Sequence, residues 1–123
     1  MTGFGKFANI LNNPSTYLVR ALPKLLKKVN LPKAKLVHSE VVTVSCEDCE
    51  IALDQIYALV KQNLARNHGS RHIVLNFGVA ASRKEFSLEV IGKNIKDFRV
   101  QDERGNVFKN LPIETNYELT HTR

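Results

Sequence analysis

An α/β fold is what this sequence predicts: a partial three-layer α/β/α sandwich around a largely parallel or mixed sheet, cut short on its C-terminal side. Three observations lead there. Two stretches, 14–28 and 45–66, place apolar residues at helical spacing. Short apolar runs lie before, between and after them. The resulting order, (β)-α-β-α-β-loop-β, is that of helices laid against a sheet with parallel neighbours. A length of 123 residues suits one domain, 1–123, with a respectable core.

Met1 to Phe4 reads as the stub of a strand. Residues 14–28 form the first helix: Asn13 is suited to the N-cap and Pro14 to the first turn. Tyr17, Leu18, Ala21, Leu22, Leu25 and Leu26 make its apolar face. Pro23 lies inside it and is expected to kink or shorten it. Asn30-Leu31-Pro32 ends the segment, and 35–44 is strand-like, with Leu36, Val37, Val41, Val42 and Val44. Ser45 and Asp48 form a capping box for the second helix. Its stripe is Leu53, Ile56, Tyr57, Val60 and Leu64, widened by Ala52 and Leu59, and Asn67-His68-Gly69 stops it. Ile73 to Phe77 reads as a buried strand, 78–82 as a loop of small residues, and Phe86 to Ile91 as an alternating strand. The remainder is polar and rich in turns.

Composition narrows the function classes. With 43% hydrophobic and 24% charged residues the chain is ordinary globular protein. No apolar run approaches the roughly 20 residues that span a bilayer, and the N-terminus lacks the basic start and apolar stretch of an export signal. The expectation is a cytoplasmic protein with no membrane partner. A net charge of +6 raises nucleic-acid binding as one reading. The cations, however, are clusters at Lys24, Lys27, Lys28, Lys33 and Lys35 and at Arg66, Arg71, Arg83 and Lys84, with no recognisable nucleic-acid motif. Solvated surface is the favoured account, and no nucleic-acid partner is expected.

Two segments suggest a site. Thr2-Gly3-Phe4-Gly5-Lys6-Phe7 is a glycine-flanked aromatic loop, and Asn13-Pro14-Ser15 follows after a short gap. Glycines let such a loop bend closely around a ligand, and Phe4 and Phe7 offer faces to a small, flat, uncharged ring. The plainer reading is a turn, with both rings in the core and Asn13 a simple cap. Further on, Ile73 to Asn94 contains Gly78, Glu89 and Asn94.

This order resembles the pyroglutamyl-peptidase I family of cysteine peptidases, whose motif runs Thr-Gly-Phe-x-Pro-Phe-Gly-Gly…Asn-Pro-Ser. The similarity continues through the Gly, Glu and Asn spacing of 78, 89 and 94, then Asp97-Phe98-Arg99, Asp102-Glu103-Arg104-Gly105 and Leu111-Pro112-Ile113. Lys6 stands where the family has Pro, Ala8-Asn9 where it has Gly-Gly, Asn76 where a His is common, and Val90 where a basic residue follows the Glu.

The resemblance implies removal of N-terminal pyroglutamate from peptides. Glu89 would be the acidic member of a Cys-His-Glu triad, and Phe4, Phe7, Asn13, Gly78 and Val79 would hold the substrate. A triad acid accepts a hydrogen bond from the imidazole and stabilises the imidazolium formed when the thiol loses its proton. The alternative for Glu89 is a solvent-facing strand residue. In the family the nucleophilic Cys and its His follow the Glu. His121 does not match that His, and Cys46 and Cys49 precede the Glu. The expectation is therefore a fragment, a shortened form or a non-catalytic relative, inactive alone and either poorly soluble or associated with something. Peptides bearing N-terminal pyroglutamate are the partners implied for a full-length form, with no cofactor or metal and with oligomeric state open.

Ser45-Cys46-Glu47-Asp48-Cys49 supports a competing reading, a thiol redox module at a helix N-terminus. Acidic neighbours oppose thiolate formation there, and two incidental cysteines are the plainer account. A basic interaction domain is the third reading.

Overall fold

The computed structural model describes residues 1–29, 31, 34–115 and the backbone of 121–122. Six regular elements follow one another: β1 (Thr2–Phe4), α1 (Pro14–Val29), β2 (Glu40–Val42), α2 (Cys46–Arg66), β3 (Gly92–Lys93) and β4 (His121–Thr122). The sheet is centred on β1. On one side β2 runs parallel to it, with Thr2 opposite Glu40, Gly3 opposite Val41 and Phe4 opposite Val42. On the other, Thr2 bridges Asn76 in parallel, and its amide and carbonyl bond Leu75 O and Phe77 N, both at 2.9 Å.

Strand alternation places the two helices on opposite faces. A Cβ on Gly3 would meet Ser15 O at 2.5 Å and Val19 Cγ2 at 2.7 Å, so only glycine lets α1 lie this close to β1. Thr2, Phe4 and Val42 face the other way, towards Ala52, Leu53 and Ile56 of α2. Helix, sheet and helix thus form three layers, and the buried apolar core is Val19, Val42, Ala52 and Ile56.

The two helices begin and end as their caps dictate. Asn13 Oδ1 accepts the Ser15 amide at 3.0 Å to open α1, and Lys27 and Lys28 occupy its last turn, where cations complement the dipole. Ser45 Oγ accepts the Asp48 amide at 3.0 Å to open α2, and the Asn67 amide bonds Asn63 O at 2.9 Å to close it. The shortening expected at Pro23 does not occur, and α1 runs on to Val29 with the proline inside it. Proline cannot bond the carbonyl four residues back, which is Val19 O. Ser39 donates its hydroxyl to that oxygen at 3.3 Å, so the orphaned acceptor is satisfied from outside the helix. The buried faces are also rotated from the expected stripes. Val19 is the most buried side chain of α1, while Tyr17 and Leu25 are exposed; in α2, Ala52 and Ile56 are buried, while Leu53, Tyr57 and Leu64 lie open.

Three strand expectations require correction. The strand expected over 35–44 narrows to Glu40–Val42, because β1 offers only three residues to pair with. Residues 73–77 touch the sheet through 75–77, but Ile73 is 82% exposed. Residues 86–91 form no strand, with Phe86 98% and Leu88 86% exposed. An apolar run becomes a strand only where another strand supplies hydrogen bonds and another layer covers it. The Asn30-Leu31-Pro32 stop and Lys33 fall largely outside the described residues.

The polar C-terminal stretch has an architecture the sequence left open. Lys96 and Leu111 exchange backbone hydrogen bonds, the Phe98 amide bonds Phe108 O at 2.8 Å, and their rings meet edge to face at 5.3 Å. Residues 102–106 turn this ribbon, with Gly105 at φ 84°, a conformation open to glycine.

Candidate functional site

Loops at the C-terminal ends of β1 and β2 form the candidate site, the end at which parallel sheets present ligands. Leaving β1, the chain bends at Gly5, whose amide bonds Val42 O at 2.9 Å, and turns sharply between Phe7 and Ile10. Ala8 takes φ 45° in that turn. A non-glycine residue occupies this left-handed conformation at some cost, and here it stands where the resembling family has glycine. The turn therefore survives the substitution.

Asn13 organises the loop. It is 1% exposed, and its amide works in both directions. Nδ2 donates to Gly5 O at 2.8 Å, while Oδ1 accepts from the Ser15 amide and hydroxyl at 3.0 and 2.8 Å. Ser15 and Thr16 in turn bond the Phe4 backbone: Ser15 Oγ accepts the Phe4 amide at 2.9 Å, and Thr16 Oγ1 donates to Phe4 O at 2.6 Å. The loop carrying Phe4 and Phe7 is fastened to the first turn of α1. Neither ring is fully buried, and Phe4 borders a cavity of about 150 Å³ with Val42, Cys49, Leu53 and Ile56.

The parallel bridge between Thr2 and Asn76 sets the segment that runs on to Gly78 and Val79 beside the start of β1. The pairing ends at Phe77, whose amide bonds Thr2 O, while the Phe4 amide goes to Ser15 Oγ instead. Thr2 Oγ1 donates to Asn76 Oδ1 at 2.7 Å and fixes this register from the side chains. A Cβ on Gly78 would meet nothing within 4 Å, so the backbone there is open. Glu89 is placed differently. It is an exposed residue whose Oε1 accepts from Arg83 Nη1 at 2.5 Å, and no hydrogen bond among the described residues ties it to the Phe4 loop.

The Cys46 and Cys49 pair begins α2 close to this end. Burial pushes the Cys46 thiol up, and its hydrogen bond to Glu50 at 3.3 Å adds to the shift. Burial likewise raises Cys49, with the charges of Cys46 and Asp48 adding to it. Both thiols are held protonated near neutrality, which disfavours exchange or nucleophilic attack. Among the described residues no three His, Cys, Asp or Glu side chains group as metal ligands, and no helix is long and apolar enough to cross a membrane.

Sequence reasoning missed the carboxylate that braces this end. Asp102 Oδ2 accepts the Cys46 amide at 3.1 Å, and Oδ1 accepts the amides of Arg104 and Asn106 at 3.0 and 2.8 Å. Burial works against its charge, yet these N–H donors outweigh burial and hold the carboxyl below its usual range. Arg104 then forks onto Asp48 with Nε and Nη2 at 2.8 and 2.9 Å. The one signal was Asp102-Glu103-Arg104-Gly105 as a turn, but nothing local says which helix the turn caps.

Comparison with known proteins then places the chain. A family described as "Pyroglutamyl peptidase" matches residues 1–120. The pyrrolidone-carboxylate peptidase of Coprothermobacter proteolyticus is 32% identical over 92% of this chain and 48% of its own length; that of Deinococcus radiodurans is 30% identical over 93% and 46%. The crystal structure of pyrrolidone carboxyl peptidase from Thermus thermophilus superposes with a TM-score of 0.61 at 31% identity, covering 96% of this chain and 53% of that one. The Thermococcus litoralis enzyme, at 24% identity and a TM-score of 0.66, shares the fold. The chain spans about half the length of the curated relatives it matches.

Proposed function

Because the chain belongs to the pyroglutamyl peptidase family, we infer that its 123 residues form the ring-binding half of a site that removes N-terminal pyroglutamate from peptides. The lactam lies in the loop between Phe4 and Phe7, with the backbone at Gly78 and Val79 alongside it. The observation that supports this most directly is the buried Asn13 amide, which holds the loop bent by bonding Gly5 O while it caps α1. A loop fastened in advance loses little freedom when ligand binds.

Glu89 is assigned as the acid that accepts an imidazole N–H. The imidazole takes the thiol proton, the thiolate sulfur attacks the pyroglutamyl carbonyl carbon, and the amine leaves with that proton. Water then hydrolyses the thioester to release pyroglutamate. No cysteine follows Glu89 in these 123 residues, and the protonated thiols of Cys46 and Cys49 are poor substitutes. The chain alone therefore binds the ring without cutting the peptide bond. The protein is read as acting in solution, in the cytoplasm.

Titration of the ¹⁵N-labelled chain with 2-pyrrolidone tests the binding half. Saturable amide shifts are expected at Phe4, Phe7, Asn13, Gly78 and Val79, and Phe7→Ala should weaken them about tenfold, the ~1.4 kcal/mol of one ring contact. Shifts that spare Gly78 and Val79 overturn the site. A pyroglutamyl-aminocoumarin substrate should release no fluorophore above buffer; release abolished by Cys46→Ser would overturn the assignment of the thiols.

A further inference from the structure

We propose that the outer face of α1 is a docking surface for an acidic amphipathic helix of another polypeptide. Two ridges run side by side along this face, each made of residues four apart. Tyr17, Ala21, Leu25 and Val29 form an apolar ridge, and Arg20, Lys24 and Lys28 form a cationic one beside it. All seven residues are exposed, with Tyr17 at 57%, Leu25 at 49% and Val29 at 64%. Val19, on the inner face, is buried against Gly3 of β1, so the ridges point away from the sheet.

The distribution of charge identifies the occupant. Residues 1–39 hold seven Lys and Arg and no Asp or Glu, against a net charge of +6 for the whole chain. The excess charge therefore sits in this stretch, and residues 40–123 are close to neutral. Among the described residues no ion pair engages Arg20, Lys24 or Lys28. Like charges four apart on a helix repel, and an apolar ridge held in water is a second cost. A partner helix with one acidic row beside one apolar row relieves both. Its acidic row meets the cations, and its apolar row packs along the ridge, where Ala21 leaves a notch between Tyr17 and Leu25. A phosphate backbone would answer the cations alone and leave Tyr17, Leu25 and Val29 in water. A lipid surface calls for a broad apolar face, whereas α1 has only this one row to offer, its inner face being committed to β1.

The surface does not depend on the reading of the Phe4 loop, and the two are probed at different amides. The test uses the full chain and an acetylated, amidated peptide of four Glu-Leu-Ala-Gln repeats, which sets Glu and Leu on adjacent rows. Saturable shifts are expected at the amides of 17–29, with a rise in the melting temperature. Raising NaCl from about 50 to about 500 mM should weaken binding severalfold. Lys24→Glu together with Lys28→Glu should weaken it at least about tenfold, and the same repeats with Lys in place of Glu should then bind instead. Leu25→Gln together with Val29→Gln should weaken it about tenfold without changing the salt dependence. Equal binding of the Glu and Lys peptides by the unaltered chain, or no saturable shift at 17–29, overturns the proposal. Vesicles with about 30% phosphatidylserine, or a single-stranded oligonucleotide, that shift the same amides and displace the peptide overturn it too.

Discussion

Residues 1–66 and 67–115 are about equally supplied with apolar runs, yet only the first stretch turns them into layers. In the first, β1 is paired on both sides, and Val19, Val42, Ala52 and Ile56 close over it. In the second, Ile73, Phe86, Leu88 and Val90 are all more than 70% exposed, and the bonded pieces among the described residues include the edge at 75–77 and the ribbon around Phe98 and Phe108. The difference lies in partners rather than in propensity. Val and Phe favour strands everywhere, but a strand needs a neighbour for its amides and a layer for its side chains.

The sharpest way to break the comparison is to add a methyl-bearing side chain on each side of it. Gly3→Val forces Cβ into the Ser15 carbonyl and the Val19 side chain, neither of which can step aside without moving α1. A loss of about 3–5 kcal/mol is expected, enough to abolish the urea transition. Gly78→Ala meets empty space and should shift the midpoint by no more than about 0.5 kcal/mol. A tolerated Gly3→Val would mean that α1 does not rest on β1.

Next in size is Asn13. Asn13→Ala removes a helix cap and leaves the Gly5 carbonyl without its donor, a loss of about 1–3 kcal/mol in urea denaturation. Asn13→Asp keeps the cap oxygen and loses only the donor, so its effect should be smaller. If both variants cost the same, the tie to Gly5 is the dominant one.

Acid reaches the seam between the two stretches. The Arg104 guanidinium, followed by the Ser45 hydroxyl, holds the Asp48 carboxyl down at about 2. Its folded value is below its unfolded one, so the brace contributes fully above about pH 4. That contribution fades as pH falls through the folded value near 2. Urea midpoints should therefore drop between pH 4 and 2, and Asp48→Asn should flatten this fall. An unchanged acid profile in the variant would remove Asp48 from the seam.

The smallest effects are expected in the open stretch. Glu89 and Arg83 form an exposed pair, and Glu89→Gln should change stability by at most about 0.5 kcal/mol. Phe86→Ser should be equally mild for folding while lowering light scattering at high concentration, since Phe86 is 98% exposed.

What the sequence made legible follows the same division. Caps are local chemistry, so Asn13, Ser45 and Asn67 could be read as helix ends and stand there. The aromatic loop and the asparagine that bends it were legible for the same reason, as residues close together in the chain. Strand limits were not, because whether 35–39 pairs depends on where β1 starts. Nor was the Asp102 cap, whose partner Cys46 lies 56 residues away. Its carboxylate reads as an ordinary turn residue until the helix it serves is known.

Ser39 on the Val19 carbonyl gives a defect a use. Val19 O has no amide to accept from Pro23 and takes the Ser39 hydroxyl instead, which ties the returning crossover to α1. An ordinary residue at 23 would give that oxygen a second, competing donor.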